Sequence, residues 1–309
     1  MSLIAWVKGK GASGFGYDAT ADDVTEGLDL TGRHFLVTGS NSGIGLDSVR
    51  TLAKRGATVI AAARTLEKAQ AVVDALPGSH HPVACELSEP ESVQQCVNAV
   101  KALGVGLDAI LCNAGIMMLP KLEQRFGVEM QLFTNHVGHF ILVTGLLDAL
   151  TPTGRVVMTS STAHFQTYSG GIRLDDLSGE GKYSPMGAYA QSKLANLLFA
   201  RHLATRLPEG QQAHAVHPGV VVTNLTRHFP KVIDGAYARF GTWVGAKTSP
   251  QGAATQVYVA THPDAAAHNG EYWADSNLAR SSRYARDAEL AERLWAATEQ
   301  IVQGLPHLV

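Results

Sequence analysis

Short apolar runs alternate with amphipathic stretches along most of this chain. "RHFLVTG" (33–39), "ATVIAAA" (57–63), "HPVACEL" (81–87), "LDAILCNAG" (107–115), "GRVVMTSS" (154–161), "QAHAVHPG" (212–219) and "GEYWAD" (270–275) are brief and rich in β-branched or small apolar residues. They read as buried strands. Between them lie segments with apolar positions three and four apart: "LDSVRTLAKRG" (46–56), "TLEKAQAVVDAL" (65–76), "EPESVQQCVNAVKAL" (89–103), "GVEMQLFTNHVGHFILVTGLLDAL" (127–150), "AYAQSKLANLLF" (188–199) and "SPQGAATQVYVATHP" (249–263). These read as helices. Residues 1–31 are Gly-rich and polar without strong periodicity, and predict an arm lying on the surface with a short helix at "TADDVTEGL".

Repeated βα units build a parallel sheet through right-handed crossovers. The expected fold is therefore α/β, a single Rossmann-type doubly wound parallel sheet with helices on both faces. A sheet covered on two sides absorbs 309 residues as one unit, so residues 32–309 are expected to form one domain behind the arm. Near residues 224–247, "FPKVIDGAYARFGTWVG" mixes aromatics and glycines as a substrate lid would.

Composition narrows the partners. A hydrophobic fraction of 45%, a charged fraction of 17% and a formal charge of −2 describe a globular chain with no run of like charges. Nothing here predicts a nucleic acid or an anionic membrane surface. The three cysteines, Cys85, Cys96 and Cys112, show no paired spacing and predict a reducing compartment. No apolar stretch reaches the roughly 18 residues of a membrane span. Cytoplasmic localisation is the expectation.

"VTGSNSGIG" sets Gly39, Gly43 and Gly45 between the first strand and the first helix. Glycines there permit a tight turn and close approach of a pyrophosphate, whose charge meets the free N–H groups of the helix. At the end of the second strand an acidic residue would accept a ribose 2′-hydroxyl and repel a 2′-phosphate. Ala63 stands in that place and Arg64 follows, with a fork suited to phosphate. NADP is the expected cofactor.

The GxxxGxG turn, "NAG" at 113–115, "SS" at 160–161 and the pair Tyr189 and Lys193 four residues apart occur in the order in which they stand in the short-chain dehydrogenase/reductase family, which the chain resembles over residues 33–219. "NHVGHF", "HPGVV", "SPQGAATQVY", a late "LW" and the extra length between Ser161 and Tyr189 resemble its retinol dehydrogenase-like branch. The resemblance implies a catalytic tetrad. Tyr189 would be the acid/base and Lys193 the group that lowers its pKa and holds the nicotinamide ribose. Ser161 would orient the substrate oxygen, being the sixth residue after Arg155 in its strand, and Asn135 would hold a water of the proton relay. For the cofactor it implies contacts from Ser40, Asn41 and Ile44 of the glycine turn, Glu86 and Leu87, Asn113, Ala114 and Gly115, and Pro218, Gly219, Val220 and Thr223. Glu86 departs from the family's usual Asp, and its longer side chain puts the adenine contact in doubt.

One helical turn puts Tyr189 and Lys193 on one face. A free tyrosine titrates near 10; a cation about 4 Å away favours the phenolate by up to roughly 4 kcal/mol at an effective dielectric of 20, on the order of three pKa units before desolvation opposes it. The expected activity is hydride exchange between nicotinamide and a carbonyl or alcohol carbon, with reduction of a lipophilic aldehyde or ketone as the favoured case. The contrasting function is an NADP(H)-responsive binding protein without turnover, which would have no need of Tyr189. An extended-branch epimerase would carry GxxGxxG instead.

Other chemistry-bearing residues read as structural. His136 and His139 lack a third metal ligand at a recognised spacing. Asp175 and Asp176 lie in a solvated Gly-rich loop, Cys112 is a small buried hydrophobe, and His217 shapes a loop. The apolar Tyr189 helix offers a face for a homo-oligomer, although sheet packing accounts for the same composition.

Overall fold

The computed structural model describes residues 9–221 and 246–306. The expected lid, apart from residues 246–247, and Thr223 lie outside the described residues. Ten strands are found among those described: β1 His34–Thr38, β2 Thr58–Ala63, β3 His81–Ala84, β4 Leu107–Cys112, β5 Gln124–Arg125, β6 Val128–Glu129, β7 Leu150–Thr159, β8 Gln212–His217, β9 Tyr272–Ala274 and β10 Asn277–Leu278. Eight of them form one sheet in the order β10-β9-β8-β7-β4-β1-β2-β3, and β5 with β6 makes a separate hairpin. All neighbours in the large sheet are parallel except β10, which returns antiparallel against β9. The order reverses between β1 and β4, and such a switch point opens a crevice beyond the strands' carboxyl ends.

The helices are α1 Ala21–Val24, α2 Gly43–Lys54, α3 Leu66–Val73, α4 Pro90–Ala102, α5 spanning 130–146, α6 Pro185–Ala204, α7 Ser249–Thr261 and α8 Ala288–Gln303. Strand alternation sends successive side chains to opposite faces. Leu36, Ile60, Ile110 and Val156 join α4, α5, α6 and α8 in one core. Phe35, Val37, Val59, Leu111 and Val157 join α1, α2 and α7 in the other.

Three features depart from the periodicity. The expected helix over 127–150 is shorter, follows the β5–β6 hairpin, and contains a π-helical stretch at Phe133–Val137. The N-terminal arm is not merely laid on the surface: Tyr17, Ala21, Val24 and Leu30 are buried. Asn277 also pins it, its Oδ1 accepting from Ser13 N at 3.0 Å and its Nδ2 donating to the Phe15 carbonyl at 3.2 Å. Finally, helix α8 escapes the strand–helix alternation. Its N-cap Asp287 accepts from Leu290 N, and Leu290, Ala291, Leu294, Trp295 and Thr298 form its buried stripe.

Helix α8 covers the face of α6 that offered an oligomer contact. Trp295 stacks on Phe199 at 5.4 Å between centroids and meets Phe140 edge-on at 4.8 Å. Beneath it, His136 Nε2 donates to Thr298 Oγ1 at 3.0 Å, because that hydroxyl spends its own proton on the Leu294 carbonyl. The apolar side of the Tyr189 helix is thus buried by its own chain.

Candidate active site

The glycine turn leaves β1 with Gly39 at φ +66° and enters α2 with Gly43 at φ +52°, both in the left-handed region. Gly45 is required by packing. A Cβ there would lie 2.3 Å from the Gly39 carbonyl oxygen and 2.6 Å from Asn113 Nδ2. Ser42, the N-cap of α2, makes no side-chain cap, so no hydroxyl occupies the end of the helix where orphan N–H groups would meet a pyrophosphate. A bare helix N-terminus held against a glycine turn at a sheet switch point fits a dinucleotide.

The floor of this crevice is a buried hydrogen-bond network. Thr38 Oγ1 accepts from Asn113 N and Ala114 N, each at 3.0 Å, and Asn113 Nδ2 donates to the Thr38 carbonyl at 2.9 Å. Gln256 of α7 donates to Ser48 Oγ at 2.6 Å and to Asn113 Oδ1 at 3.3 Å, and accepts from Thr159 Oγ1 at 3.3 Å. One amide thereby ties α2, the "NAG" loop and the end of β7 together. Gln256 and Thr38 stand inside the quoted "SPQGAATQVY" and "VTGSNSGIG", yet sequence reasoning missed their roles because their partners are far away in the chain.

The other cofactor candidates divide. Asn41 and Arg64 are exposed, Arg64 directly beyond β2, whereas Ile44 and Leu87 are buried. Ser40 spends its hydroxyl on the Ala62 carbonyl at 3.0 Å. Glu86 Oε1 accepts from Ser88 N and Ser88 Oγ, at 3.2 and 3.0 Å, so that carboxylate braces its own turn. Pro218, Gly219 and Val220 follow β8; Gly219 has φ +92°, and a Cβ there would meet Lys247 Cδ at 2.7 Å.

Tyr189 and Lys193 stand in the N-terminal half of α6, whose N-cap Ser184 accepts from Gly187 N and whose first turn holds Pro185. Ser161 lies two residues beyond β7 and caps a 3-10 turn, Thr162–Gln166, accepting from Ala163 N at 3.1 Å. Its hydroxyl is close enough to Tyr189 to favour the phenolate. Neighbouring Ser160 is committed elsewhere, donating to the Lys193 carbonyl at 2.7 Å. Asn135 reaches the same corner from the π stretch. Its Oδ1 accepts from Ile116 N at 2.8 Å, while its Nδ2 donates to the Ile116 carbonyl and to Ser192 Oγ, each at 2.9 Å. Gly115 makes room: a Cβ would lie 3.0 Å from Asn135 Oδ1 and 3.5 Å from Lys193 Nζ.

The electrostatics differ from the sequence expectation. Lys193 Nζ is 5.6 Å from the Tyr189 ring centroid and donates to the Thr159 carbonyl at 3.0 Å. Burial pushes the Tyr189 phenol up to about 12, with the nearby Ser161 hydroxyl acting in the opposite direction. Burial likewise lowers Lys193 to about 8. The expected depression of Tyr189 is therefore reversed, because desolvation of the phenolate outweighs an ammonium aimed at a carbonyl. In this arrangement Tyr189 is a phenol near neutrality, suited to giving a proton.

The remaining residues take structural places. His139 Nδ1 donates to the Asn135 carbonyl at 2.9 Å, which leaves Nε2 to accept from Thr38 Oγ1 at 2.9 Å. Burial lowers its pKa to about 4, keeping it neutral. Asp176, read as merely solvated, instead organises the insertion before Tyr189: it pairs with Arg173 and accepts from Ser178 Oγ and Gly181 N. Burial raises the Cys112 thiol above its usual range. His217 is buried at the end of β8.

A short chain dehydrogenase profile matches residues 33–173, from the start of β1 to beyond Ser161. The chain is 39% identical to short-chain dehydrogenase TIC 32 A, chloroplastic, of Brassica napus, over 99% of this chain and 100% of that protein. It is 34% identical to human retinol dehydrogenase 11, over 91% and 89% of the two chains. Among solved structures, a putative uncharacterized protein from Mycobacterium Paratuberculosis aligns with a TM-score of 0.75 at 33% identity, covering 93% of this chain and 98% of that one. A short chain dehydrogenase from Burkholderia cenocepacia J2315 in complex with NADP aligns at 0.62 and 27% identity, covering 79% and 96%. The chain belongs to the short-chain dehydrogenase/reductase family, with retinol dehydrogenases among its relatives. It is an oxidoreductase of a family that uses NAD(P) and acts on small molecules. Among the described residues no helix is long and apolar enough to cross a membrane.

Proposed function

We propose that the protein is an NADP(H)-dependent reductase of lipophilic aldehydes or ketones, with Tyr189, Lys193, Ser161 and Asn135 as its working residues. The observation that carries this reading is the buried ammonium of Lys193, held on the Thr159 carbonyl two residues before Ser161 and 5.6 Å from the Tyr189 ring centroid. When bound, the nicotinamide supplies or accepts the hydride. The Ser161 hydroxyl holds the substrate oxygen next to the Tyr189 phenol, which gives up its proton as negative charge develops on that oxygen. Lys193 offsets the charge left on the phenolate and holds the ribose. The Asn135 side chain is spent on Ile116 and Ser192, so the relay water is assigned to its main-chain carbonyl, which keeps a second lone pair beside the His139 bond.

The dinucleotide is assigned to the α2 N-terminus and the floor at Asn113, Ala114 and Gly115, with Asn41 and the Pro218–Val220 segment at its edges. Arg64 takes the 2′-phosphate, since it is exposed directly beyond Ala63, where an acid would have repelled it. Exposed apolar side chains near the corner in sequence support a lipophilic substrate: Phe165 lies four residues beyond Ser161, Met186 three before Tyr189, and Val220 three beyond the end of β8. Consumption of NADPH and NADH over carbonyls of graded chain length tests the reading, with Arg64→Ala as its control. Losing one charge-assisted phosphate contact costs about 1.5–3 kcal/mol, so Arg64→Ala is expected to weaken NADPH by roughly 10- to 150-fold and leave NADH unchanged. Equal weakening of both, or a wild type that prefers NADH, refutes the NADP assignment.

A further inference from the structure

His164 lies three residues beyond Ser161, fully buried, in the 3-10 turn that Ser161 caps. The Ser161 carbonyl receives two donors from this one residue: the His164 backbone N–H at 3.0 Å and the ring Nδ1 at 2.5 Å. A carbonyl only accepts, so Nδ1 carries the proton. The opposite nitrogen fixes the same tautomer, because Nε2 accepts from Ser282 N at 3.1 Å and must present a lone pair. Phe165 at 4.2 Å and Tyr272 at 5.1 Å between centroids hold the ring plane.

Ser282 belongs to a firmly seated segment. Ala279 N donates to the Tyr272 carbonyl at 2.8 Å, Arg201 of α6 donates to the Ala285 carbonyl at 2.8 Å, and Ala285 N donates to Ser282 Oγ at 3.3 Å. The ring therefore spans a fixed platform and the backbone of Ser161. With its carbonyl doubly held and its hydroxyl accepting from Ala163 N, Ser161 has little freedom to swing from the phenol.

We propose that His164 is a positioning residue for Ser161, clamping the serine's carbonyl with Nδ1–H while Nε2 anchors the ring to Ser282. The effect on turnover rests on the reductase reading above; the tautomer and the clamp do not.

Two near-isosteric variants separate positioning from packing. In His164→Asn the amide takes the place of the Nδ1 edge and can still donate to the Ser161 carbonyl, but it cannot reach Ser282. In His164→Gln the amide reaches toward Ser282 and the donor to Ser161 is lost. The expected result is that kcat falls roughly 10- to 100-fold in the Gln variant and within about threefold in the Asn variant, as removal of one orienting contact would give. Cofactor Kd should stay within twofold in both, and their melting temperatures should fall alike. Equal kcat in the two variants, or losses that follow melting temperature, would overturn the proposal. Long-range proton–nitrogen NMR of the wild type gives a readout independent of activity. An Nδ1–H ring is expected at neutral pH, and an Nε2–H or doubly protonated ring overturns the clamp. A wild type with the Nδ1–H ring that reduces no carbonyl would leave the clamp standing and refute the reductase reading instead.

Discussion

The glycine turn and the Ser161–Tyr189–Lys193 corner lie at the same end of one sheet, yet they are built in opposite ways. The turn is defined by what is missing: a Cβ at Gly45 would meet the Gly39 carbonyl at 2.3 Å, and no side chain caps α2. No side-chain hydroxyl competes for the first backbone N–H groups of that helix. At the corner, polar side chains bond to partners distant in sequence. Lys193 Nζ and Asn196 Nδ2 share the Thr159 carbonyl, each at 3.0 Å, Asn135 reaches Ser192, and His164 links Ser161 to Ser282. A site that binds backbone-first can be made by omission. One that must hold a proton donor at a fixed angle needs a surrounding frame.

The sharpest way to break this contrast is Tyr189→Phe. It removes one hydroxyl from the framed corner and nothing from the turn. Turnover is expected to fall roughly 10²- to 10⁴-fold, the usual contribution of a positioned acid, with cofactor affinity within about twofold of wild type. Steady-state kinetics and cofactor titration on the same preparation check it. Substantial residual turnover would sink the assignment of the proton to Tyr189.

The same contrast explains what the sequence revealed. Glycine spacing is a local signal, so Gly39, Gly43 and Gly45 stood out, as did the one-turn separation of Tyr189 and Lys193 and the strand–helix alternation that predicts the sheet. Helix α8 was hidden because it breaks that alternation, although Asp287 as an N-cap before an apolar stripe was there to be read. The π stretch that delivers Asn135 has no local signature, and the bonds of Gln256 and His164 cross 208 and 118 residues of chain. The direction of the Tyr189 shift was misjudged for a related reason. Helical spacing places two groups on one face, but their burial, and the carbonyl toward which the ammonium turns, are set by β7.

A substitution at the turn sharpens the comparison from the other side. Gly45→Ala drives a methyl into backbone that has no flexible end to yield, and overpacking of this kind costs about 1–3 kcal/mol. If that cost falls on the bound geometry, cofactor affinity drops roughly 5- to 150-fold. Turnover at saturating cofactor should change far less, because the corner is untouched. Calorimetric titration beside kcat measures both, and a fall in kcat without a fall in affinity would mean that the turn and the corner are not separable.

The smallest expected effect concerns the stability cost of the frame. Burial penalises the ammonium of Lys193 and lowers its pKa in the folded protein to about 8, from the ordinary 10.5. Between those two values the unfolded chain holds more protons, so this term makes the fold more stable as pH rises through the window. Below about 8 the ammonium is charged in both states, and the full burial penalty applies. Lys193→Met keeps the length of the side chain without the charge, and Asn196 Nδ2 still satisfies the Thr159 carbonyl. The variant should therefore be more stable than wild type at pH 7, by about 1–2 kcal/mol once the lost hydrogen bond is set against the relieved burial. That advantage should shrink as pH climbs toward 10, and the variant should bind the cofactor more weakly throughout. Wild-type cofactor affinity should itself decline above pH 8, as the ammonium is lost. Urea unfolding of both proteins from pH 7 to 10 decides the matter. A variant less stable than wild type at pH 7, or a gap that does not close with rising pH, would show that the ammonium stabilises the corner it occupies and that its burial is not a cost borne for binding.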